Sequence, residues 1–242
     1  VRAITAPFFE IGPKNLLRRP ALEELSAAAA AAATEFDVST IVTVPAPLIS
    51  VIKQGNPDLF VFAQQMDDEG IGPSVGRITP EALVDGGADG VMLNHVAHPL
   101  DWVMLVELIG RAREVGLTSM VCVGSLDEAL RVAAWEPDIL LYEPPELIGK
   151  EHIGPRAWIP AADTAIAAAN PGILRMHAGG VAAPADAHAI MAAGADGTGS
   201  TSGVVLAADP ATSAHAFIRA VREGANSAPS TEKMKRSTHV NS

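Results

Sequence analysis

The chain has 242 residues, of which 48% are hydrophobic and 19% charged, and carries a net charge of −11. That balance describes a globular chain with enough length for a substantial core and excludes a disordered one. The acidic excess argues against a nucleic-acid or anionic-membrane surface.

Residues 1–20 lack a basic start followed by an apolar core, so no signal peptide is expected there. The first apolar run is AITAPFFEI (3–11), followed by Gly12-Pro13-Lys14. PALEELSAAAAAAATEF (20–36) has helical character. Its alanine block at 27–33 is too short to span a bilayer and is flanked by acids and a serine, which predicts a surface helix. VSTIVTV (38–44) and LFVFAQ (59–64) are the next apolar runs, then GVMLN (90–94), which leads into His95. LDWVMLVELIGRAREVG (100–116) is amphipathic and ends in Gly116, a helix-stop signal. TSMVCV (118–123) holds Cys122, the one cysteine, so no internal disulfide can form and a reducing, cytoplasmic compartment is expected. In SLDEALRVAAW (125–135), Ser125 precedes a helical segment with Glu128 three residues on, a capping-box pattern. DILLY (138–142) ends at Tyr142 and Glu143 follows at once, with two prolines and a short segment closing on Gly149. ILRMH (173–177), the helical ADAHAIMAAG (185–194) and a weaker run, ADGTGS (195–200), complete the pattern. The stretch 226–242 is polar and aperiodic and reads as a loose tail.

Most of the apolar runs are nearly continuous, as expected for parallel strands covered on both faces. Eight strand–helix units without a linker predict a single (β/α)8 barrel domain over residues 1–225. The alternative is an open doubly wound sheet, which the lack of a glycine-rich dinucleotide fingerprint after the first strand disfavours.

In a barrel the functional rim lies where strands end. The polar residues there are Lys14, Asn94, His95 and Glu143, with glycines at 179–180 and 199–203 after the last two strands. A carboxylate base, a histidine that polarises an oxygen and a lysine that offsets negative charge suit proton transfer next to a carbonyl. The glycine turns offer backbone N–H groups for a phosphate. His95 and His98 stand three apart, yet no Cys or carboxylate cluster completes a metal site, so no metal or cofactor is expected. His98 reads as a surface or supporting residue, and His177 as a core or supporting one.

YEPPELIG (142–149), MLNH (92–95), GRITPEAL (76–83), MVCVG (120–124) and ADGTGSTSGVV (195–205) resemble the triose-phosphate isomerase family in its shorter archaeal form. The resemblance implies that Glu143 is the catalytic base, His95 the electrophile and Lys14 the cationic residue. It further implies that Pro144 to Gly149 form a mobile lid, with the Gly149 N–H meeting the substrate phosphate. Gly179, Gly180, Ser202 and Gly203 match the phosphate-binding turns. A lid that expels water would strengthen a carboxylate base and protect an enediolate.

Three positions depart from the family pattern. Gly12 stands where the family has asparagine, Ala97 where it has glutamate, and Val75 where it has the threonine that crosses the dimer interface. In relatives these three form one polar network around the lysine; here all are small or apolar. Glycine at 12 is therefore expected to enlarge the pocket. The function expected is cofactor-independent isomerisation of a three- or four-carbon sugar phosphate through an enediolate, leaning to a tetrulose such as erythrulose phosphate. The alternatives are the triose phosphates themselves and a non-catalytic sugar-phosphate sensor. A homodimer or homotetramer is expected, with no nucleic-acid or membrane partner.

Overall fold

The computed structural model describes residues 3–148 and 156–229. Its strands are β1 (Phe8–Ile11), β2 (Ser39–Val44), β3 (Phe60–Ala63), β4 (Gly90–Leu93), β5 (Thr118–Val123), β6 (Ile139–Tyr142), β7 (Leu174–His177) and β8 (Gly197–Ser200). Each pairs in parallel with the next, and β8 returns to β1 in the register Phe8↔Gly197 to Ile11↔Ser200, so the sheet closes into a barrel. The open-sheet alternative is thereby excluded. The helices are α1 (Arg19–Phe36), α2 (Ile49–Gly55), α3 (Pro80–Asp85), α4 (Trp102–Val115), α5 (Leu126–Ala133), α6 (Ile159–Ala169), α7 (Pro184–Ala192), α8 (Ser202–Val205) and α9 (Pro210–Ser227). Short 3₁₀ turns stand at Ala46–Leu48 and Pro145–Leu147. Among the described residues no helix is long and apolar enough to cross a membrane.

The period-two alternation of strands divides the apolar residues into two cores. Phe9 and Ile11 of β1 join the large layer between barrel and helices. Phe8 faces inward with Ile41, Phe62, Met92, Met120, Leu141 and Met176. The eighth run is weakly apolar because it supplies glycine to that interior. A Cβ on Gly197 would lie 2.4 Å from the Phe8 ring, and one on Gly90 2.4 Å from the Phe62 ring. The two phenyl rings thus fill what these glycines leave open. Gly197→Val forces the Phe8 ring out of its place and is expected to cost on the order of 1–3 kcal/mol. A urea titration checks this, through a lower midpoint at unchanged slope; an unchanged midpoint would contradict the packing argument.

The opposite end of the barrel, where the strands begin, is tied by a repeated device. Asp89, Asp138 and Asp196 precede β4, β6 and β8, and each accepts a hydrogen bond from a backbone N–H of the preceding strand: Val61 at 2.7 Å, Ser119 at 2.8 Å and Arg175 at 2.9 Å. Lys53 and Arg175 neutralise two of these carboxylates.

The element ends differ from the sequence reading in small ways. β1 begins at Phe8 rather than residue 3, since Pro7 has no N–H to give to a ladder. The expected capping box at Ser125 is half formed. Ser125 Oγ accepts from the Glu128 N–H at 3.2 Å, but the Glu128 carboxylate accepts from Gly124 N, one residue before the cap. The alanine block lies in α1, which packs against α9, and Ala29 and Ala32 of the block are buried. α9 continues to Ser227, past the boundary expected at 225; residues 230–242 lie outside the described part.

Candidate active site

Lys14, His95 and Glu143, placed by the sequence on three different strand ends, line one cavity of about 490 Å³ at the rim where the strands end. Each is aimed by backbone chemistry. Lys14 adopts a left-handed conformation (φ 50°), and its carbonyl accepts from Gln64 Nε2 at 2.7 Å, which ties the turn after β1 to the end of β3. Asn94, also left-handed (φ 58°), donates to the Cys122 carbonyl at 2.9 Å and accepts from the Leu100 N–H at 3.0 Å. It thereby folds the loop that presents His95. Glu143 is set by its own N–H, which donates to the Val123 carbonyl at 2.9 Å and continues the ladder one residue past β6.

The histidine tautomer follows from one contact. The Ala97 N–H donates to His95 Nδ1 at 3.0 Å, so Nδ1 is the acceptor and a neutral ring carries its proton on Nε2. Burial lowers the His95 pKa, and the Lys14 charge lowers it further, so the ring is held neutral. Burial raises the Glu143 pKa, and Lys14 acts in the opposite direction. The result is a partly desolvated carboxyl and a neutral hydrogen-bond donor on one cavity. Cys122 lies beneath them, and burial pushes its thiol up, with Glu143 and Glu10 adding to the effect. It is therefore a packed strand residue rather than a nucleophile.

The other expected site residues divide. Gly179 (φ +88°) lies against Glu143: a Cβ there would sit 3.0 Å from Leu147 Cβ and 3.3 Å from Glu143 Cγ. Gly180 stands in the turn after β7, and Ser202 and Gly203 open α8 after β8, all outside the lining of the cavity. Gly203 is fixed by close approach, since a Cβ would come within 2.7 Å of the Ala182 carbonyl. The Ser200 hydroxyl donates to the Val181 carbonyl at 2.7 Å and holds the two turns together. Gly149 lies outside the described residues. His98 lines the cavity mouth and is exposed. His177 does not line it: it is buried, pairs with Asp163 at 2.6 Å and packs against Trp158 and Tyr142. Val75 is 94% exposed and contributes nothing to the cavity, whereas Ala97 does line it.

The expected enlargement at Gly12 is corrected by a neighbour. A Cβ on Gly12 would lie 3.0 Å from Glu10 Oε1 and 3.4 Å from Thr201 Oγ1. The volume that glycine frees is filled by the Glu10 carboxyl. In the sequence Glu10 reads as part of an apolar run and gives no sign of a site residue; the signal that could have found it is parity, since Phe8, Glu10 and Gly12 share the inward face. It is 5% exposed, its Oε1 accepts from the Thr43 hydroxyl at 2.7 Å, and burial pushes its pKa up to about 7.

A family model for triosephosphate isomerase matches residues 15–209. The triosephosphate isomerase of Cenarchaeum symbiosum is 34% identical over 199 residues, covering 78% of this chain and 86% of that protein. That of Sulfolobus acidocaldarius is 33% identical over 187 residues, covering 76% and 81%. The crystal structure of triosephosphate isomerase from Bartonella henselae superposes with a TM-score of 0.71 at 20% identity, over 90% of this chain and 99% of that one, a likeness of fold.

Proposed function

The chain belongs to the triosephosphate isomerase family and is an aldose–ketose isomerase, and from that premise we propose that it acts on a three- or four-carbon sugar phosphate, with preference for a tetrulose phosphate such as erythrulose 4-phosphate. The observation that supports the assignment of roles is the convergence of Glu143, His95 and Lys14 on one cavity. Glu143 removes a proton from the carbon beside the carbonyl. His95 donates its Nε2–H to the oxygen where charge develops, and the Lys14 ammonium offsets the negative charge of the enediolate. Glu143 then returns the proton to the neighbouring carbon. The backbone N–H groups at Gly179, Gly180, Ser202 and Gly203 receive the phosphate, and the family resemblance assigns Gly149 to the same role. The four-carbon preference draws support from the rebuilt β1 side of the floor, where Gly12 and Glu10 occur together.

Initial rates with dihydroxyacetone phosphate, glyceraldehyde 3-phosphate and erythrulose 4-phosphate test this reading. The expected result is a higher kcat/KM for the tetrulose; a preference for the trioses by orders of magnitude would leave an ordinary triosephosphate isomerase. The proton transfer needs only side chains, so enzyme treated with EDTA and dialysed is expected to keep its full rate. Loss on chelation, restored by a divalent ion, would reveal a metal-assisted step.

A homodimer or homotetramer is supported by the loop after β3, which exposes Ile71 (87%) and Val75 (94%) to solvent in the single chain. Sedimentation velocity measures it. A cytoplasmic setting accords with the buried, free thiol of Cys122.

A further inference from the structure

The mechanism above does not use Glu10, yet the barrel is built around it. Its carboxyl enters the floor of the cavity from β1, in register with Ile41 of β2 and Gly199 of β8. Three positions are fitted to it. A Cβ on Gly199 would lie 2.9 Å from Oε2, a Cβ on Gly12 3.0 Å from Oε1, and Thr43 donates its hydroxyl to Oε1. Among the described residues Thr43 supplies the one hydrogen bond to this carboxyl, so Oε2 is left for whatever occupies the cavity. An ionisable group in the interior of a barrel is costly unless something repays its desolvation.

The position of Glu10 indicates what that something is. On the roles proposed above, the reacting carbons would lie between Glu143 of β6 and His95 of β4, and the phosphate at the segments after β7 and β8. A substrate joining those points crosses the floor beside β8 and β1. In a triose phosphate the phosphorylated carbon is bonded directly to the reacting pair. In a tetrulose 4-phosphate one more carbon intervenes, and it carries a hydroxyl.

We propose that Glu10 is a specificity-determining residue whose carboxyl hydrogen-bonds the hydroxyl on the substrate carbon between the reacting pair and the phosphorylated carbon, a group that a triose phosphate lacks. This rests on the proposed four-carbon reading. A hydroxyl both donates and accepts, so it can serve either protonation state of the carboxyl. The groups that face Glu10 act in opposite directions: Glu143 raises its pKa, while Lys14 and the Thr43 hydrogen bond lower it. Burial outweighs them, so near neutral pH the carboxyl is only partly ionised, which lessens its repulsion of the incoming phosphate.

The test is kcat/KM for erythrulose 4-phosphate and dihydroxyacetone phosphate in wild type, Glu10→Gln and Glu10→Ala. Sites built to hydrogen-bond a substrate hydroxyl discriminate by large factors. The ratio of the two kcat/KM values is therefore expected to shift against the tetrulose by about 30-fold or more in Glu10→Ala, and by less in Glu10→Gln, which keeps a polar terminus of the same shape. A second reading guards against a variant that fails to fold. The raised carboxyl holds its proton in the native state after the unfolded chain has lost it, so stability falls as pH rises from about 4.5 to 7 through this group. Glu10→Gln is expected to fold and to remove that part of the slope of Tm against pH. If both substrates lose rate equally, within about threefold, in both variants, Glu10 acts only through its neighbours and the proposal is overturned. If wild type ignores the tetrulose, the four-carbon reading fails and takes this one with it. If wild type turns the tetrulose over and the ratio does not move, this proposal alone is lost.

Discussion

Replacing Glu143 by aspartate is expected to lower kcat by about 100-fold or more, with a modest change in KM, since a misplacement on the order of 1 Å is felt at that scale. Aspartate keeps the charge and withdraws the carboxylate by one methylene. The backbone cannot follow, because the Glu143 N–H is held by the Val123 carbonyl and the Ala178 N–H by the Tyr142 carbonyl. Gly179 packs against the glutamate stem, so shortening the side chain leaves a gap rather than a new contact. Substrate binding depends on other groups, which is why KM changes little. The same assignment fixes the acid side of the pH profile. A proposed base at Glu143 works deprotonated, and burial has raised its pKa, so kcat/KM is expected to fall as pH drops through that raised value. Lys14 holds the pKa down, so Lys14→Met moves the acid limb to higher pH. Stopped-flow or coupled-assay rates across pH measure both effects; an aspartate variant within about twofold of wild type would refute the role of Glu143.

His95→Gln is expected to reduce kcat by about 100-fold, the lower end of the loss seen when one donor to a developing oxyanion is removed. Glutamine retains an N–H but not its placement. In the native ring the Ala97 N–H occupies Nδ1 and so commits the proton to Nε2. A glutamine amide has no such second anchor and rotates freely about its last torsion. The neutrality of His95 matters equally. Burial and Lys14 both disfavour the imidazolium, and protonation at Nδ1 would set two N–H groups against each other at 3.0 Å. NMR of the ring nitrogens checks this directly: Nε2 should carry the proton and Nδ1 none at neutral pH. An imidazolium signal there, or a glutamine variant of near wild-type rate, would remove His95 from the mechanism.

Much of this molecule is legible in its amino-acid pattern. Near-continuous apolar runs separated by capped amphipathic segments allow few arrangements, and the chain adopts the barrel among them. Lys14, His95 and Glu143 can be read as one site because each follows a strand, and in a parallel barrel all strands end on the same rim. The sequence also marks Gly12 as unusual, but the consequence it suggests is the wrong one. Space beside a residue depends on what stands across the sheet, and Glu10, Thr43 and Thr201 come from three different strand ends or interiors.

What the sequence determines by itself is periodic and local: which residues can form strands, which helix starts are capped, and which side chains share a face. Parity places Glu10 on the same face as Phe8. Only closure of the barrel decides that this face is the interior, that the register sets Glu10 beside Gly199, and that its carboxyl has room and, among the described residues, one hydrogen-bond partner in Thr43. The physical reason is that desolvation and hydrogen bonding depend on neighbours brought together from distant parts of the chain. The burial that lifts the Glu10 pKa to about 7 is therefore a property of the closed barrel and of no segment within it.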